Sequence, residues 1–219
     1  MKKTIYTKFD KNAISALPVA EFPGRIVTIL TVGEAERAVD YLLTQPILGI
    51  DTETRPAFKK GTTYKVALLQ VSTHDVCFLF RLNRIGVTPD IIRLLENTTV
   101  PMVGLSLSND LLSLHHRADF KPGMFVDLQN EVSRLGIKDQ SLQKLYANLF
   151  HQKISKRQRL TNWEADALTY RQCMYAATDA WTCIRLYEEI CRLAETGDYT
   201  LVTVDEPAPL HTVNENNKE

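Results

Sequence analysis

One short apolar segment carries two acidic residues at alternate positions. Residues 47–54 read Ile-Leu-Gly-Ile-Asp-Thr-Glu-Thr, a run typical of a buried strand. Because residues two apart on a strand project to the same face, Asp51 and Glu53 point together at the strand end. Two such carboxylates repel each other and are costly to bury, so they need compensation. A divalent cation could compensate the two charges, and hard oxygen ligands favour Mg²⁺ or Mn²⁺. Alternatively, the strand end is exposed and both acids pair with Lys or Arg.

The composition excludes several classes of protein. The 219 residues favour one domain, and 44% hydrophobic with 24% charged residues exclude a wholly disordered chain, a collagen-like fibre and a coiled coil. Lys and Arg (26) balance Asp and Glu (26), so no bulk basic charge would hold nucleic acid and such a partner needs a local site. No apolar run reaches the ~18 residues of a membrane span, and no Cys-x-x-Cys pair occurs. We therefore expect an intracellular protein, cytoplasmic if bacterial, with no membrane association.

Strand and helix signals alternate along the chain. Strands are expected at 25–30, 47–54, 66–72, 76–82, 100–105 and 124–127. Helices are expected at 31–45, from Pro89 onward, at 109–116 and at 169–195, with a further capping box at Thr161. A tight connection through residues 73–75 predicts a hairpin. The pattern predicts an α/β fold with a central mixed β-sheet flanked by α-helices.

The two ends of the sequence lack clear periodicity. We expect residues 1–24 to form a loose N-terminal extension and residues 25–200 to form the domain. The polar, proline-bearing residues 201–219 are expected to be a disordered C-terminal tail.

A third acid follows another expected strand. Asp110 falls in the first turn of the helix after residues 100–105. An acid at that position can simply complement the helix dipole, so Asp110 alone does not indicate a site.

A tyrosine and a fourth acid share one face of the long C-terminal helix. Tyr175 and Asp179 are four residues apart, so their side chains project together. The pair could lie on a solvated face, but the flanking residues 173–181 are mostly apolar. Four acids from separate elements could converge at a strand end, where α/β sheets place their ligands. Two cations about 3.5–4 Å apart are the arrangement that cleaves phosphodiesters.

These residues together resemble a known family. Asp51-x-Glu53, Asp110 and Tyr175-x-x-x-Asp179, in this order, are similar to the three motifs of the DEDD superfamily of 3′–5′ exonucleases, tyrosine subclass. Residues 50–71 and 162–180 also resemble ribonuclease D-like and Werner-syndrome-type exonuclease domains. The resemblance implies a ribonuclease H-like fold and hydrolysis of nucleic acid from the 3′ end to nucleoside 5′-monophosphates.

The resemblance also implies roles for the acids. Asp51, Glu53 and Asp179 would bind one Mg²⁺ or Mn²⁺, and Asp51 with Asp110 would hold a second. Tyr175, whose ordinary pKa is near ~10, would orient the nucleophilic water rather than act as its base. One departure is Ser106, which stands where many relatives have glycine.

Further residues are candidates for nucleic-acid contacts. Lys156 and Arg159 match basic positions of the Werner-type pattern, so we expect them to contact backbone phosphates. Thr52 and Leu105 are expected to contact the strand as well. Trp163 is expected to pack beneath the long helix, and Gln70 is expected to be a satisfied core amide.

Two alternatives to a general exonuclease stay open. The chain could be a catalytically weak nuclease-like module that only binds nucleic acid, although such a module gains nothing from clustered negative charge. It could also be an enzyme restricted to short oligonucleotides. We expect a single-stranded or 3′-recessed nucleic acid as the partner, and no feature indicates an obligate protein partner.

Overall fold

The structure, a computed structural model, describes residues 2–204. The strands are β1 (Lys3–Tyr6), β2 (Arg25–Ile29), β3 (Leu48–Glu53), β4 (Leu68–Ser72), β5 (Val76–Phe80), β6 (Met102–Gly104), β7 (Phe125–Asp127) and β8 (Tyr199–Val202). The α-helices are α1 (Val32–Leu42), α2 (Leu82–Ile85), α3 (Pro89–Leu95), α4 (Leu107–His115), α5 (Leu128–Val132), α6 (Leu142–Phe150) and α7 (Tyr170–Thr196). Short 3₁₀ turns lie at Ala13–Ala16 and Ser133–Leu135. None of the helices within residues 2–204 is both long and apolar enough to cross a bilayer.

Six strands form the central sheet, in the order β2-β5-β4-β3-β6-β7. Strand β4 runs antiparallel to both of its neighbours, β3 and β5, and the remaining neighbouring pairs are parallel. The predicted hairpin is present between β4 and β5, closed by the Thr73 N–H donating to the Val76 carbonyl at 2.8 Å. The mixed α/β sheet predicted from the sequence is therefore confirmed.

Alternation along β3 divides the structure into two sides. Leu48 and Ile50 pack into the core cluster that also contains α1 and α3 residues such as Val39 and Leu94. Gly49 instead lies against α7. The approach is so close that a β-carbon at this position would lie 2.0 Å from the Ala180 carbonyl oxygen. Strand β3 and helix α7 are thus in backbone contact, and the acids at alternate β3 positions face the helix.

Helix α7 begins and ends as the sequence predicts. The Thr169 side chain accepts from the Gln172 N–H, and the Gln172 side chain accepts from the Thr169 N–H at 3.0 Å, which completes a capping box. The helix stops at Gly197, which has a left-handed backbone with φ 65°. Fourteen of its 27 residues are buried, including every residue from Tyr175 to Ile184, and beyond that stretch burial recurs at Leu186, Ile190 and Leu193.

The predicted capping box at Thr161 is wrong. Residues 161–169 form turns and no helix begins there. The Thr161 hydroxyl instead accepts from Gln172 Nε2 at 3.1 Å, and Asn162 Oδ1 accepts from the Glu164 N–H at 3.1 Å. The partner of Thr161 is therefore on α7, so a contact distant in sequence replaces the local cap.

The expectation of a loose N-terminal segment is also wrong for the part that the structure describes. Strand β1 pairs in parallel with β8, and Ile5 and Phe22 are buried. Because β8 extends to Val202, the C-terminal segment begins as a strand. The predicted disordered tail otherwise falls on residues 205–219, outside the described residues, and the domain boundaries at 24 and 200 stay predictions.

We predict that Gly49→Ala destabilises the protein by about 1–3 kcal/mol, because its β-carbon would push α7 away from β3. Denaturant unfolding measures the change. Gly33→Ala is the matched control, because the nearest atom to its new β-carbon is 3.6 Å away and alanine favours the helix. Equal stabilities for Gly49→Ala and the unsubstituted protein would contradict the close approach of the two elements.

Candidate active site

Three carboxylates meet where β3 passes beneath α7. Asp51 and Glu53 come from β3 and Asp179 from α7, and one oxygen of each lies within 4.8 Å of the others. Glu53 and Asp179 are buried, with 8% and 7% exposure, and Asp51 is half-buried. The predicted convergence of these three acids is therefore present in the structure.

The donor set fits a hard divalent cation. Three carboxylate oxygens lie within reach of one ion, and oxygen ligands are those that Mg²⁺ and Mn²⁺ prefer. Asp179 Oδ1 is buried and has no hydrogen-bond partner among residues 2–204. A buried, unpartnered anionic oxygen is costly, so Asp51, Glu53 and Asp179 could hold a metal ion.

Burial raises the pKa of every acid in this cluster, and repulsion from neighbouring carboxylates adds to the effect for Asp51 and Glu53. Burial, followed by repulsion from Asp51 and Asp179, raises the pKa of Glu53 to about 10. Burial raises the pKa of Asp179 to about 7, against the opposing effect of a hydrogen bond from Tyr175. The pKa of Asp51 is raised by burial and then by the charges of Asp110 and Asp179. The metal-free cluster therefore retains protons that ordinary surface acids would lose.

Asp110 lies beside the three carboxylates but belongs to a different environment. Its Oδ1 accepts a hydrogen bond of 2.5 Å from the Thr52 hydroxyl. Since Thr52 alternates with Asp51 and Glu53, it faces away from α7, and Asp110 approaches β3 from that side. Burial raises the Asp110 pKa to about 6. The charge of Asp110 still raises the pKa of Asp51, so the two acids are near each other.

An unpredicted carboxylate, Asp127, positions the helix that carries Asp110. Its two oxygens accept from the Ser106 N–H at 3.0 Å and the Leu107 N–H at 2.9 Å, at the start of α4. Ser106 has a left-handed backbone with φ 60°, the region that favours glycine. Asp127 also caps α5 through the Gln129 N–H, which is the signal that the sequence offered for it.

Gln70 is a second residue whose role the sequence did not indicate. It is fully buried, as expected of a core amide, and its Nε2 donates to Asp51 Oδ2 at 3.4 Å. Its Oε1 has no partner within the described chain, so the expectation of a satisfied amide is wrong for that atom. Gln70 pairs with Asp51 across β3 and β4, and it therefore fixes one face of that carboxylate.

The acids open onto a cavity of about 350 Å³, which we call the acidic cavity. Leu105, Lys156 and Arg159 line it together with Asp51 and Asp179. The charge of Lys156 lowers the pKa of Asp179, and that of Arg159 lowers the pKa of Glu53, each against the larger effect of burial. Two basic side chains thus lie at the mouth of an acidic site.

Tyr175 and Trp163 form the packed wall behind the acids. Burial and then the charge of Asp179 raise the pKa of the Tyr175 hydroxyl, which hydrogen-bonds Asp179 and keeps its proton at neutral pH. Trp163 is fully buried, with its ring centroid 6.0 Å from that of Tyr175. The prediction that Trp163 packs beneath the long helix is confirmed.

The turn that carries Trp163 is held by basic side chains. The buried Arg81 donates to the Ala165 carbonyl at 2.5 Å, and Arg84 donates to Asp166 Oδ1 at 2.6 Å. Arg55 pairs with Glu164 at 3.4 Å. These contacts fix residues 164–166 and hence the position of the Trp163 ring.

Comparisons with known proteins identify the family. A family model described as 3'-5' exonuclease matches residues 26–195. The mouse bifunctional 3'-5' exonuclease/ATP-dependent helicase WRN is 30% identical over 206 residues, covering 89% of this chain. The Drosophila melanogaster exonuclease 3'-5' domain-containing protein 2 is 35% identical over 153 residues, covering 68% of this chain. The chain spans only 15% of the first relative and 26% of the second.

Solved structures match the fold. The EXO domain of Aedes aegypti Nibbler superposes with a TM-score of 0.72 at 18% identity, covering 80% of this chain and 91% of that one. Escherichia coli RNase D gives 0.67 at 19% identity, with 81% and 52% covered. Trypanosoma brucei RNase D in complex with RNA U12 gives 0.65 at 16% identity, with 77% and 63% covered. The ribonuclease H-like fold is confirmed, and with the family-model match the chain belongs to the 3′–5′ exonuclease family of the DEDD superfamily.

Proposed function

We propose that this protein is a metal-dependent exonuclease that removes nucleoside 5′-monophosphates from the 3′ end of nucleic acid. The observation that carries the proposal is the cluster of Asp51, Glu53 and Asp179, in which three oxygens lie within 4.8 Å and one buried oxygen lacks a partner. Such a cluster is costly to a module that only binds polyanions, and it is well suited to cations that promote phosphodiester hydrolysis.

The acids divide between two proposed ions, Mg²⁺ or Mn²⁺. Asp51, Glu53 and Asp179 would hold the first, and Asp51 with Asp110 would hold the second. Bound cations of this kind lower the pKa of water and stabilise charge on a leaving oxygen. Gln70 and Thr52 hold Asp51 and Asp110 in place by the hydrogen bonds that they donate.

Tyr175 acts in this proposal as a hydrogen-bond donor. Its raised pKa makes it a poor base at neutral pH, so its proton stays on the hydroxyl oxygen. The hydroxyl can therefore orient the attacking water or a phosphate oxygen beside Asp179. Packing against Trp163 restricts the ring to that position.

The strand itself would be held at the mouth of the acidic cavity. Lys156 and Arg159 are exposed there and would contact phosphates, while Leu105 would contact the terminal nucleotide. Thr52 is proposed as a further contact, although its hydroxyl donates to Asp110 in this structure. The proposed substrate is a single-stranded or 3′-recessed nucleic acid, and the relatives named RNase D favour including RNA among the substrates tested. We also propose an intracellular location.

Asp51→Asn is expected to lower nucleotide release by about a thousandfold or more, since several kcal/mol of metal-dependent stabilisation are lost. The measurement is release of 5′-monophosphates from matched DNA and RNA oligonucleotides of graded length, with Mg²⁺, Mn²⁺ or chelator. Asp198→Asn, an exposed acid outside the cavity, is the matched control and should keep the full rate. Asp51→Asn at the rate of the unsubstituted protein would refute the assignment.

Tyr175→Phe is expected to lower the rate by about 10- to 100-fold, because the ring stays packed while the oriented hydrogen bond is lost. Its Mn²⁺-induced rise in melting temperature should match that of the unsubstituted protein, because the phenol is not a proposed ligand. A variant that loses the Mn²⁺ response would place Tyr175 in the metal site instead.

The metal-free protein is expected to lose stability as pH rises from about 4 to about 7. The unfolded chain releases the Asp179 proton near pH 4, whereas the folded protein keeps it until about pH 7. Rising pH in that window therefore favours unfolding, and the loss due to Asp179 is complete above about pH 7. Glu53, whose pKa is raised to about 10, extends the decline to higher pH. At roughly 1.4 kcal/mol for each unit of pKa shift, the effect of Asp179 should exceed about 2 kcal/mol.

Asp179→Asn tests this effect, because the difference between the two proteins cancels the titration of groups that do not interact with Asp179. The difference also includes the relief that loss of this charge gives to Asp51 and Glu53. The variant should be more stable than the unsubstituted protein at pH 8 without metal, and its melting temperature should respond less to Mn²⁺. Unfolding in chelator and in Mn²⁺ at pH 5 and pH 8 measures both changes. A parallel pH dependence for the two proteins would show that Asp179 keeps an ordinary pKa.

A further inference from the structure

A second cavity of about 470 Å³ adjoins the acidic cavity. The two share five lining residues, Gln143, Ile154, Ser155, Lys156 and Tyr175. The second cavity is therefore next to the metal site, and a strand that leaves the acids beside Tyr175 would reach it.

The lining of the second cavity suits a nucleotide. Lys156, Arg157 and Arg171 are exposed cations from two separate segments, which provides charge for phosphates. Tyr170, at the start of α7, exposes 73% of its surface, and such an aromatic ring can stack on any base. Met174 adds apolar surface beside Tyr170.

The remaining wall comes from the N-terminal segment. Val19, Ala20 and Glu21 line the cavity, and main-chain hydrogen bonds join this segment to residues 151–159, which carry several basic side chains. The Ala20 N–H donates to the Lys153 carbonyl at 2.9 Å, and the Lys153 N–H donates to the Pro18 carbonyl at 2.8 Å. Glu21 brings negative charge to this wall, so phosphates are favoured beside the cations Arg157 and Arg171 instead.

We propose that the second cavity binds the nucleotide on the 5′ side of the terminal one, with its base stacked on Tyr170 and its phosphate beside Arg171. The direction follows from the position of the acids. Asp51 and Asp179 line the acidic cavity, so in the proposed function the 3′ end of the strand lies there. The second cavity is bordered by the exposed side chains of Val19, Tyr170 and Arg171, which suits a strand that continues into solvent. This inference depends on the proposed exonuclease function.

The test compares a substrate that reaches the second cavity with one that does not. A single-stranded decanucleotide occupies both cavities, whereas the p-nitrophenyl ester of thymidine 5′-monophosphate has no nucleotide on the 5′ side of the scissile bond. Tyr170→Ala should lower kcat/KM for the decanucleotide about tenfold, the loss expected when one base loses its stacking partner. For hydrolysis of the ester, the rate of the variant should stay within about twofold of that of the unsubstituted protein. A twofold change is far smaller than the roughly tenfold loss expected when a stacking contact is removed. Tyr170→Phe, which keeps the ring, should behave as the unsubstituted protein with both substrates.

Binding provides a readout that does not depend on turnover. In an Asp51→Asn background, Tyr170→Ala should weaken decanucleotide binding about tenfold. Arg171→Gln should flatten the slope of log affinity against log salt by about 0.7, the value for one contact with a single strand. Arg37→Gln, an exposed cation on α1 across the sheet from α7, should leave the slope unchanged.

The outcomes separate this inference from the function on which it depends. If the unsubstituted protein cleaves neither substrate with Mg²⁺ or Mn²⁺, the exonuclease proposal itself fails. If the unsubstituted protein cleaves the decanucleotide but Tyr170→Ala changes neither cleavage nor binding, the exonuclease proposal stands. In that case the second cavity does not bind the substrate strand. Equal losses for both substrates would also overturn the inference, because they would show a general disturbance of the metal site.

Discussion

The contact between β3 and α7 determines where the acids of the site lie. Gly49 lets the Ala180 carbonyl approach the strand, and the next alternate positions of the strand then place Asp51 and Glu53 beneath the helix turn that carries Asp179. Because α7 lies so close to β3, the three carboxyl groups are brought together in a space that water solvates poorly. Their repulsion is a cost of the fold that only protons or cations can offset. A scaffold of this kind is therefore strained in the absence of the ions that it is proposed to bind.

The fourth acid, Asp110, lies on a different element from the other three and has a different hydrogen-bonding environment. Asp110 approaches from the other face of β3, where the Thr52 hydroxyl satisfies one of its oxygens. Asp127 fixes the helix that carries it by binding the main chain at Ser106 and Leu107. One strand thus organises both halves of the site, with Asp51 between them. This arrangement fits a proposed mechanism in which Asp51 alone contributes to both ions.

The features that depend on local periodicity were predictable from the sequence, and those that depend on distant partners were not. The two-residue repeat of β3 and the four-residue interval between Tyr175 and Asp179 define faces, so the convergence of their acids could be anticipated. The contact of Gln70 with Asp51 depends on cross-strand register, and Asp127 acts on a loop about 20 residues away. The capping pattern at Thr161 failed for the same reason, because its hydroxyl meets Gln172 on another element. Strand β1 is four residues long and, among residues 2–204, pairs only with β8, about 200 residues later, so its own residues give no signal of it.

That last pairing has a consequence for biosynthesis. Lys3 lies opposite Tyr199, so during synthesis β1 must wait for nearly the whole described chain before it finds its partner. The wall of the second cavity at Val19–Glu21 lies between β1 and β2 and is joined by main-chain hydrogen bonds to residue 153. Closure of such a large loop is slow and carries an entropic penalty. The nascent chain can therefore assemble its central sheet well before this outer wall is completed, and the proposed path for nucleic acid is among the last described parts of the molecule to form.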